Sequence, residues 1–391
     1  MEKSRKILIF STAYYPFVGG AEVAIKEITD RIPDIQFDLI TAKLKRNLPK
    51  VEKVENVNVY RLGFGIPVLD KFLLPFWGAI KTIKLNNKNH YSAYWCMMVT
   101  FAGGAAYVAN ILSDKKIPVV LTLQEGDSEE YLKTKWFGLI DLSWRLALKR
   151  SSAVTVISNY LGRRAKELGF SEKSTLIPNG VDVSHYSEIF SLEELKELSD
   201  RLGRKEENTI ILISTSRLVI KNGLDLVIRA LPLLPENIHF FNFGFGKDKK
   251  YLIDLAGTLG VGSRVHLEDH PGHDVLPQYL KISDIFIRPS RSEGQGISFL
   301  EAMAAKIPVI ATPVGGIVDF LRDGETGYFC QPKDPESIAE TVKKVISDPN
   351  KNKIVENAYK MVKEKYDWDS IAGKMGNVLT DVSMRVIMKS K

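Results

Sequence analysis

Apolar and polar positions alternate along this chain in two rhythms that keep trading places. Short aliphatic and β-branched runs (KILIFS, FDLITA, VNVYRL, AYWCMMV, PVVLTLQ, AVTVIS, STLIP) read as strands. Between them AEVAIKEITDRI, GGAAYVANILSDK, LIDLSWRLALKR and NYLGRRAKELG carry the spacing of one-sided helices. Strands that are apolar on both faces and separated by helices predict a parallel sheet covered on each side. The rhythm stops over residues 186–208, YSEIFSLEELKELSDRLGRKEEN, a highly charged stretch without a strand pattern, and the domain boundary is placed there. It then restarts: TIILISTS leads into LDLVIRALPLL, IHFFNFG into DKKYLIDLAGTLG, DIFIRPS into ISFLEAMAA, with PVIATP and GYFCQP following. The pattern predicts an α/β protein of two open parallel-sheet domains, residues 1–185 and 186–367. A last helix from Trp368 has no strand after it and is free to pack elsewhere.

Length and composition agree with this division. The 391 residues exceed one ordinary core. With 45% of them apolar and 26% charged, disordered and fibrous architectures are excluded. No window reaches the roughly 18 unbroken apolar residues of a spanning helix. The basic N-terminus imitates a signal peptide, but Pro16, Gly19, Gly20 and Glu22 interrupt its apolar run early. Cys96 and Cys330 lie in opposite halves, which speaks against a disulfide framework and for a reducing, cytoplasmic setting. The net charge of +7 is uneven. Residues 1–185 hold 26 Lys and Arg against 18 Asp and Glu, whereas residues 186–391 hold 28 against 29. A basic first half suits an anionic lipid surface or an acidic substrate, or is ordinary solubilising charge; nucleic acid is not the expected partner.

Ligands of open α/β sheets gather beyond the carboxyl ends of the strands, so the loops there, and the cleft between two such domains, are the places to look. RPSRSEGQGISFLEAMAAKIPVIATPVGG, residues 288–316, puts Glu293 in a loop and Glu301 in the second turn of the following helix. Gly294 and Gly296 allow a tight turn that exposes backbone amides at the helix start, an arrangement suited to phosphates. On this stretch alone the carboxylates could equally be a helix-dipole partner and a solvated helix position. Ser214 to Gly223 adds Arg217 and Lys221 in the loop after another strand, where a diphosphate needs cations. Gly19-Gly20 forms a further glycine pair between strand and helix.

These motifs together resemble the retaining glycosyltransferases of family 4, which have the two-domain GT-B fold. The resemblance runs over nearly the whole chain. It includes Gly19-Gly20, Pro178-Asn179-Gly180-Val181-Asp182, Ser216-Arg217-Leu218-Val219 and Pro289-Ser290 with Glu293, Gly294, Gly296 and Glu301. It continues through Ala304-Ala305, Pro308 to Thr312 and Gly315-Gly316. It implies two Rossmann-like domains facing each other across a cleft, with the helix of residues 368–391 returning to the first. The implied activity is transfer of a hexose, with retention and without a metal or other cofactor, from a UDP- or GDP-sugar to a hydroxyl of a glycan or lipid-linked acceptor. By the same resemblance Glu301 binds the ribose hydroxyls and Glu293 contacts the donor sugar. Amides of Gln295, Gly296, Ile297 and Ser298 hold sugar and phosphate, backbone near His270 meets the base, and Arg217 with a lysine neutralises the leaving diphosphate. Gly19, Gly20 and Asn222 belong to the donor side.

Two positions depart from the family pattern. The lysine usually found directly before the glycine is Asn222 here, and Lys221 stands one residue early. Where many members carry a histidine, this chain has Gln124 followed by Glu125 and Asp127; Gln124 can donate a hydrogen bond but not shuttle a proton, so Glu125 or Asp127 is the candidate for handling the acceptor hydroxyl, and which of the three replaces the histidine stays open. A sugar-nucleotide epimerase on the same fold and a non-catalytic partner subunit are the alternatives.

Several other features carry less. Asp367-Trp368-Asp369 imitates a metal-holding Asp-x-Asp but reads as a helix cap. His266 to Asp274 is rich in ligand types and reads as a strand end and solvated loop. Leu69 to Trp77 is rich in large apolar residues, with Lys81, Lys84 and Lys88 expected on the next helix. Residues 69–88 therefore suit either peripheral contact with an anionic membrane or closure of the acceptor side.

Overall fold

The computed structural model describes residues 5–114, 116–126, 139–202 and 208–389. The chain divides into two compact units, Met1–Asn179 with Trp368–Lys391, and Gly180–Asp367. In the first unit the strands are β1 (Arg5–Phe10), β2 (Ile35–Ala42), β3 (Val51–Val54), β4 (Val57–Leu62), β5 (Ala93–Met97), β6 (Val119–Leu123), β7 (Ala153–Val156) and β8 (Thr175–Leu176). They form one sheet in the order β3-β4-β2-β1-β5-β6-β7-β8. Every pair is parallel except β3 with β4. That antiparallel hairpin is not visible in the apolar pattern. VEKV alternates charge with valine and lies half exposed at the sheet edge, where polar side chains protect unpaired backbone.

The second unit holds β9 (Ile210–Thr215), β10 (Ile238–Phe243), β11 (Val265–Glu268), β12 (Ile285–Arg288), β13 (Val309–Ala311) and β14 (Tyr328–Phe329). Its parallel sheet runs β11-β10-β9-β12-β13-β14. Ile211, Leu212 and Ile213 of β9 are wholly buried and feed the cores on the two faces of this sheet. Each such side chain contributes about 1.5–3 kcal/mol of burial. Winding proceeds outward in both directions from the β9/β12 pair, so the crevice at their carboxyl ends is the topological switch point.

Two expectations change. The boundary lies at Asn179–Gly180, not within residues 186–208. Val181, Val183 and Tyr186 are buried in the second unit's core, and the Val181 amide donates to the Tyr366 carbonyl at 2.8 Å. The charged stretch instead forms the helix Leu192–Arg201, closed by a capping box between Ser191 and Glu194. The apolar residues from Leu69 and the lysines after them share one helix, Pro67–Asn89, which continues through Pro75. Finally, the helix Trp368–Lys389 buries Trp368, Ile371, Met375 and Leu379 among Ile7, Ile25, Phe37 and Trp95 of the first unit. Asp369 accepts from Arg31 Nε at 2.8 Å there, an ordinary ion pair.

Candidate active site

The loops after β9 and β12 carry the residues that the motifs single out. The peptide turns at Gly296, with φ +87°, and the helix Ile297–Ala304 begins directly after it. Gln295 is buried, Ser298 and Glu301 nearly so. Behind this turn lies Arg288, the last residue of β12 and 6% exposed. Its Nη2 donates to Glu293 Oε2 at 2.7 Å and its Nη1 to Ser298 Oγ at 2.8 Å. The guanidinium also sits 4.2 Å above the Phe299 ring. The other Glu293 oxygen, Oε1, accepts from the Gly294 amide at 2.9 Å. Burial works against the Arg288 charge, while Glu293 and Glu301 support it and Arg217 opposes it. Glu293 thus pairs directly with this buried cation, and the charges of Glu301 and Arg217 act on it. Burial raises the Glu301 carboxyl above its ordinary value; His273, a hydrogen bond from the Tyr186 side chain, Arg288 and His185 oppose that rise.

The backbone around Glu293 is fixed from a second side. Gly315 has φ +58°, and a Cβ there would stand 1.8 Å from the Glu293 carbonyl oxygen. The Gly316 amide donates to that same oxygen at 3.2 Å. The Gly315-Gly316 motif therefore serves backbone contact with the Glu293 loop.

Arg217 and Lys221 lie in the loop after β9, which includes the short 3-10 turn Ile220–Asn222. Asn222 is buried and its Nδ2 donates to the Arg217 carbonyl at 2.7 Å, so this side chain is turned into the loop. Arg291 fastens that loop to the Glu293 loop. Its amide donates to the Lys221 carbonyl at 2.8 Å, and its fork donates to both Asp225 oxygens at 2.7 and 2.8 Å and to the Ile220 carbonyl. Gly244 and Gly246 are a packing device, because a Cβ on either would strike the Ser216 or Leu218 carbonyl at 2.2 or 2.1 Å. His270 accepts the Gly272 amide on Nδ1 at 3.1 Å, and burial with His273 nearby lowers its pKa. Among the described residues, no three His, Cys, Asp or Glu side chains gather as metal ligands.

In the first unit Gly19 caps and Gly20 opens the helix Gly20–Asp30, and Arg61 holds the preceding turn by donating to the Tyr15 carbonyl. Gln124, after β6, pairs its amide with that of buried Asn179 at 3.0 Å. Glu125 receives the Val99 amide on Oε1 at 2.6 Å and the Gln124 amide on Oε2 at 3.0 Å. Burial lifts its carboxyl to about 7, against the amides of Val99, Glu125 and Gln124 and the charge of Arg164. Asp127 lies outside the described residues. On the helix Pro67–Asn89, Val68, Leu69, Phe72, Phe76 and Ile80 are exposed in its first part, and Lys84 and Lys88 are exposed toward its C-terminal end. Phe101 meets Phe72 with ring centroids 5.1 Å apart. No helix among the described residues is long and apolar enough to cross a membrane.

Arg288 and Arg291 are the residues that motif reading missed. The available signal for Arg288 is a lone charge closing the apolar run DIFI.

Comparison with known proteins places the chain among glycosyltransferases. The family model for glycosyl transferases group 1 matches residues 196–361, and that for Glycosyltransferase Family 4 matches residues 18–185. An uncharacterized glycosyltransferase of Methanocaldococcus jannaschii is 28% identical over 389 residues, 95% of this chain and 97% of its own. Sucrose-phosphate synthase from Thermosynechococcus elongatus superposes with a TM-score of 0.85 at 18% identity, over 99% of this chain and all of that one. Anabaena HepE, solved with UDP and glucose, superposes with a TM-score of 0.78 at 22% identity, covering 96% of this chain and all of that one.

Proposed function

We propose, from the premise that the chain belongs to the family 4 glycosyltransferases and is a GT-B enzyme, that it transfers a hexose from a UDP- or GDP-sugar to an acceptor hydroxyl with retention. The observation that carries this reading is the buried Arg288 guanidinium fixing Glu293 Oε2 at 2.7 Å and Ser298 Oγ at 2.8 Å behind the Gly296 turn at the start of the helix that carries Glu301. One carboxylate, Glu301, takes the ribose hydroxyls, and the other, Glu293, takes the sugar. Between them the amides of Gln295, Gly296, Ile297 and Ser298 receive phosphate and sugar oxygens at a helix start. Arg217 and Lys221 stabilise the charge that grows on the departing diphosphate, so the reaction needs no metal for that step. His270 lies on the base side, and Gly19 and Gly20 give the donor close backbone approach.

Retention without a protein nucleophile places the acceptor on the face that the diphosphate leaves, with a phosphate oxygen taking its proton. Gln124 cannot carry that proton and Glu125 is bound at both oxygens by amides, so each acts by orienting its loop. The exposed apolar residues Val68, Phe72, Phe76 and Ile80 in the first part of one helix, with exposed Lys84 and Lys88 toward its end, favour a lipid-linked acceptor met at an anionic membrane surface.

The test is thermal unfolding with UDP, GDP and ADP, followed by donor hydrolysis and the anomeric configuration of the product. UDP or GDP raises the melting temperature, Glu301→Ala removes that rise, and the product keeps the donor's configuration. If no nucleoside diphosphate stabilises the protein, or Glu301→Ala leaves stabilisation intact, the site is misassigned.

A further inference from the structure

Arg288 belongs to none of the donor-contacting groups, yet it is buried at the second unit's site with both amino groups engaged. A guanidinium at the end of the apolar strand IFIR is costly to bury. Its Nε has no hydrogen-bond partner, so an apolar side chain would close the strand at less expense. What the charge does there is legible from its contacts. One amino group holds Glu293 Oε2 at 2.7 Å, the other holds Ser298 Oγ at 2.8 Å, and the plane between rests on Phe299. A Cβ on Gly296 would stand 2.5 Å from Nη2, so the guanidinium also backs the turn itself. With Gly294 donating to Oε1, the carboxylate is held at both oxygens and keeps its remaining lone pairs in one direction.

The geometry points to Arg288 as a positioning residue for the donor sugar, acting through Glu293 and not on the nucleotide. The inference rests on the reading of Glu293 as the sugar-contacting carboxylate. A lysine at 288 supplies charge but no fork, and cannot hold Glu293 and Ser298 together.

Calorimetric binding of UDP against UDP-glucose, and of GDP against GDP-mannose, separates the sugar from the nucleotide. For the pair the wild-type protein binds, R288K keeps the nucleoside diphosphate affinity within about 2-fold and weakens the nucleotide sugar about 10-fold or more, the scale of losing one well-placed polar contact. E293Q does the same, and R288K/E293Q is no weaker than E293Q alone, because Arg288 has nothing further to position. Retention of wild-type sugar affinity by R288K while E293Q loses it overturns the inference, as does full additivity in the double variant. Unchanged sugar affinity in E293Q instead overturns the role of Glu293, a distinguishable result. Should R288K fail to fold, R288Q, which also cannot hold Glu293 and Ser298 together, is held to the same criterion.

Discussion

Gly315→Ala strikes the Glu293 loop without touching any side chain there. The added Cβ would lie 1.8 Å from the Glu293 carbonyl oxygen. An acceptable carbon–oxygen approach is about 3.3 Å, so the two loops must separate by about 1.5 Å. A residue with a Cβ at φ +58° adds about 1–2 kcal/mol of backbone strain. Forced displacement in a packed region costs about 1–3 kcal/mol more. The total of about 2–5 kcal/mol corresponds to a fall of roughly 5–15 °C in the melting temperature of a unit this size. Gly324→Ala separates the two contributions, because Gly324 has φ +70° with nothing within 4 Å of the new Cβ. It carries the strain alone and lowers the melting temperature by a few degrees. A loop shift of that size also moves Glu293 relative to the sugar, and misplacement near 1 Å costs about 100-fold in rate. Thermal unfolding and donor turnover of both variants are the assay. If Gly315→Ala melts and turns over like Gly324→Ala, the backbone contact does not hold the loop and the reasoning fails.

Other outcomes follow from the same geometry. Arg291→Ala removes the clasp on Asp225 and the Ile220 and Lys221 carbonyls; it lowers stability in urea by about 2–3 kcal/mol and weakens UDP or GDP binding, and equal affinity would show that the clasp does not hold the cation loop. The Glu125 carboxyl sits at about 7 in the fold against its ordinary 4.5. Its contribution to stability is fully present below about pH 4.5 and is lost as pH rises to about 7. Glu125→Gln therefore narrows the difference in melting temperature between about pH 5 and about pH 8, and an unchanged difference refutes the assignment. Phe72→Ser with Phe76→Ser, or Lys84→Glu with Lys88→Glu, abolishes co-sedimentation with anionic vesicles at low salt. Binding that survives both pairs moves the membrane contact elsewhere.

Much of this architecture is written in local patterns. Strands such as KILIF and TIILIS are apolar on both faces, which leaves a covered parallel sheet as the natural outcome. Glu293 and Glu301 are legible because glycines and a helix start surround them. What is not legible depends on contacts distant in sequence. VEKV pairs because a neighbouring strand lies beside it, not because its pattern demands pairing. Val183 and Tyr186 declare their unit only through a core built by residues far down the chain. Arg288 could face either side of β12, and only the fold turns it beneath Gly296. Asn222 looks like a displaced lysine until its amide is found on the Arg217 carbonyl.

The last helix has a consequence for how the protein is made. Trp368, Ile371, Met375 and Leu379 cover a face of the first sheet whose strands emerge from the ribosome more than 200 residues earlier. Residues 180–367 form one compact unit continuous in sequence and can fold during synthesis. The first unit must wait, with Ile25, Phe37 and Val57 uncovered, until translation reaches the end of the chain. A chain that stops before Trp368 thus pairs a completed second unit with a first one whose core is unfinished, and its aggregation is expected to begin there.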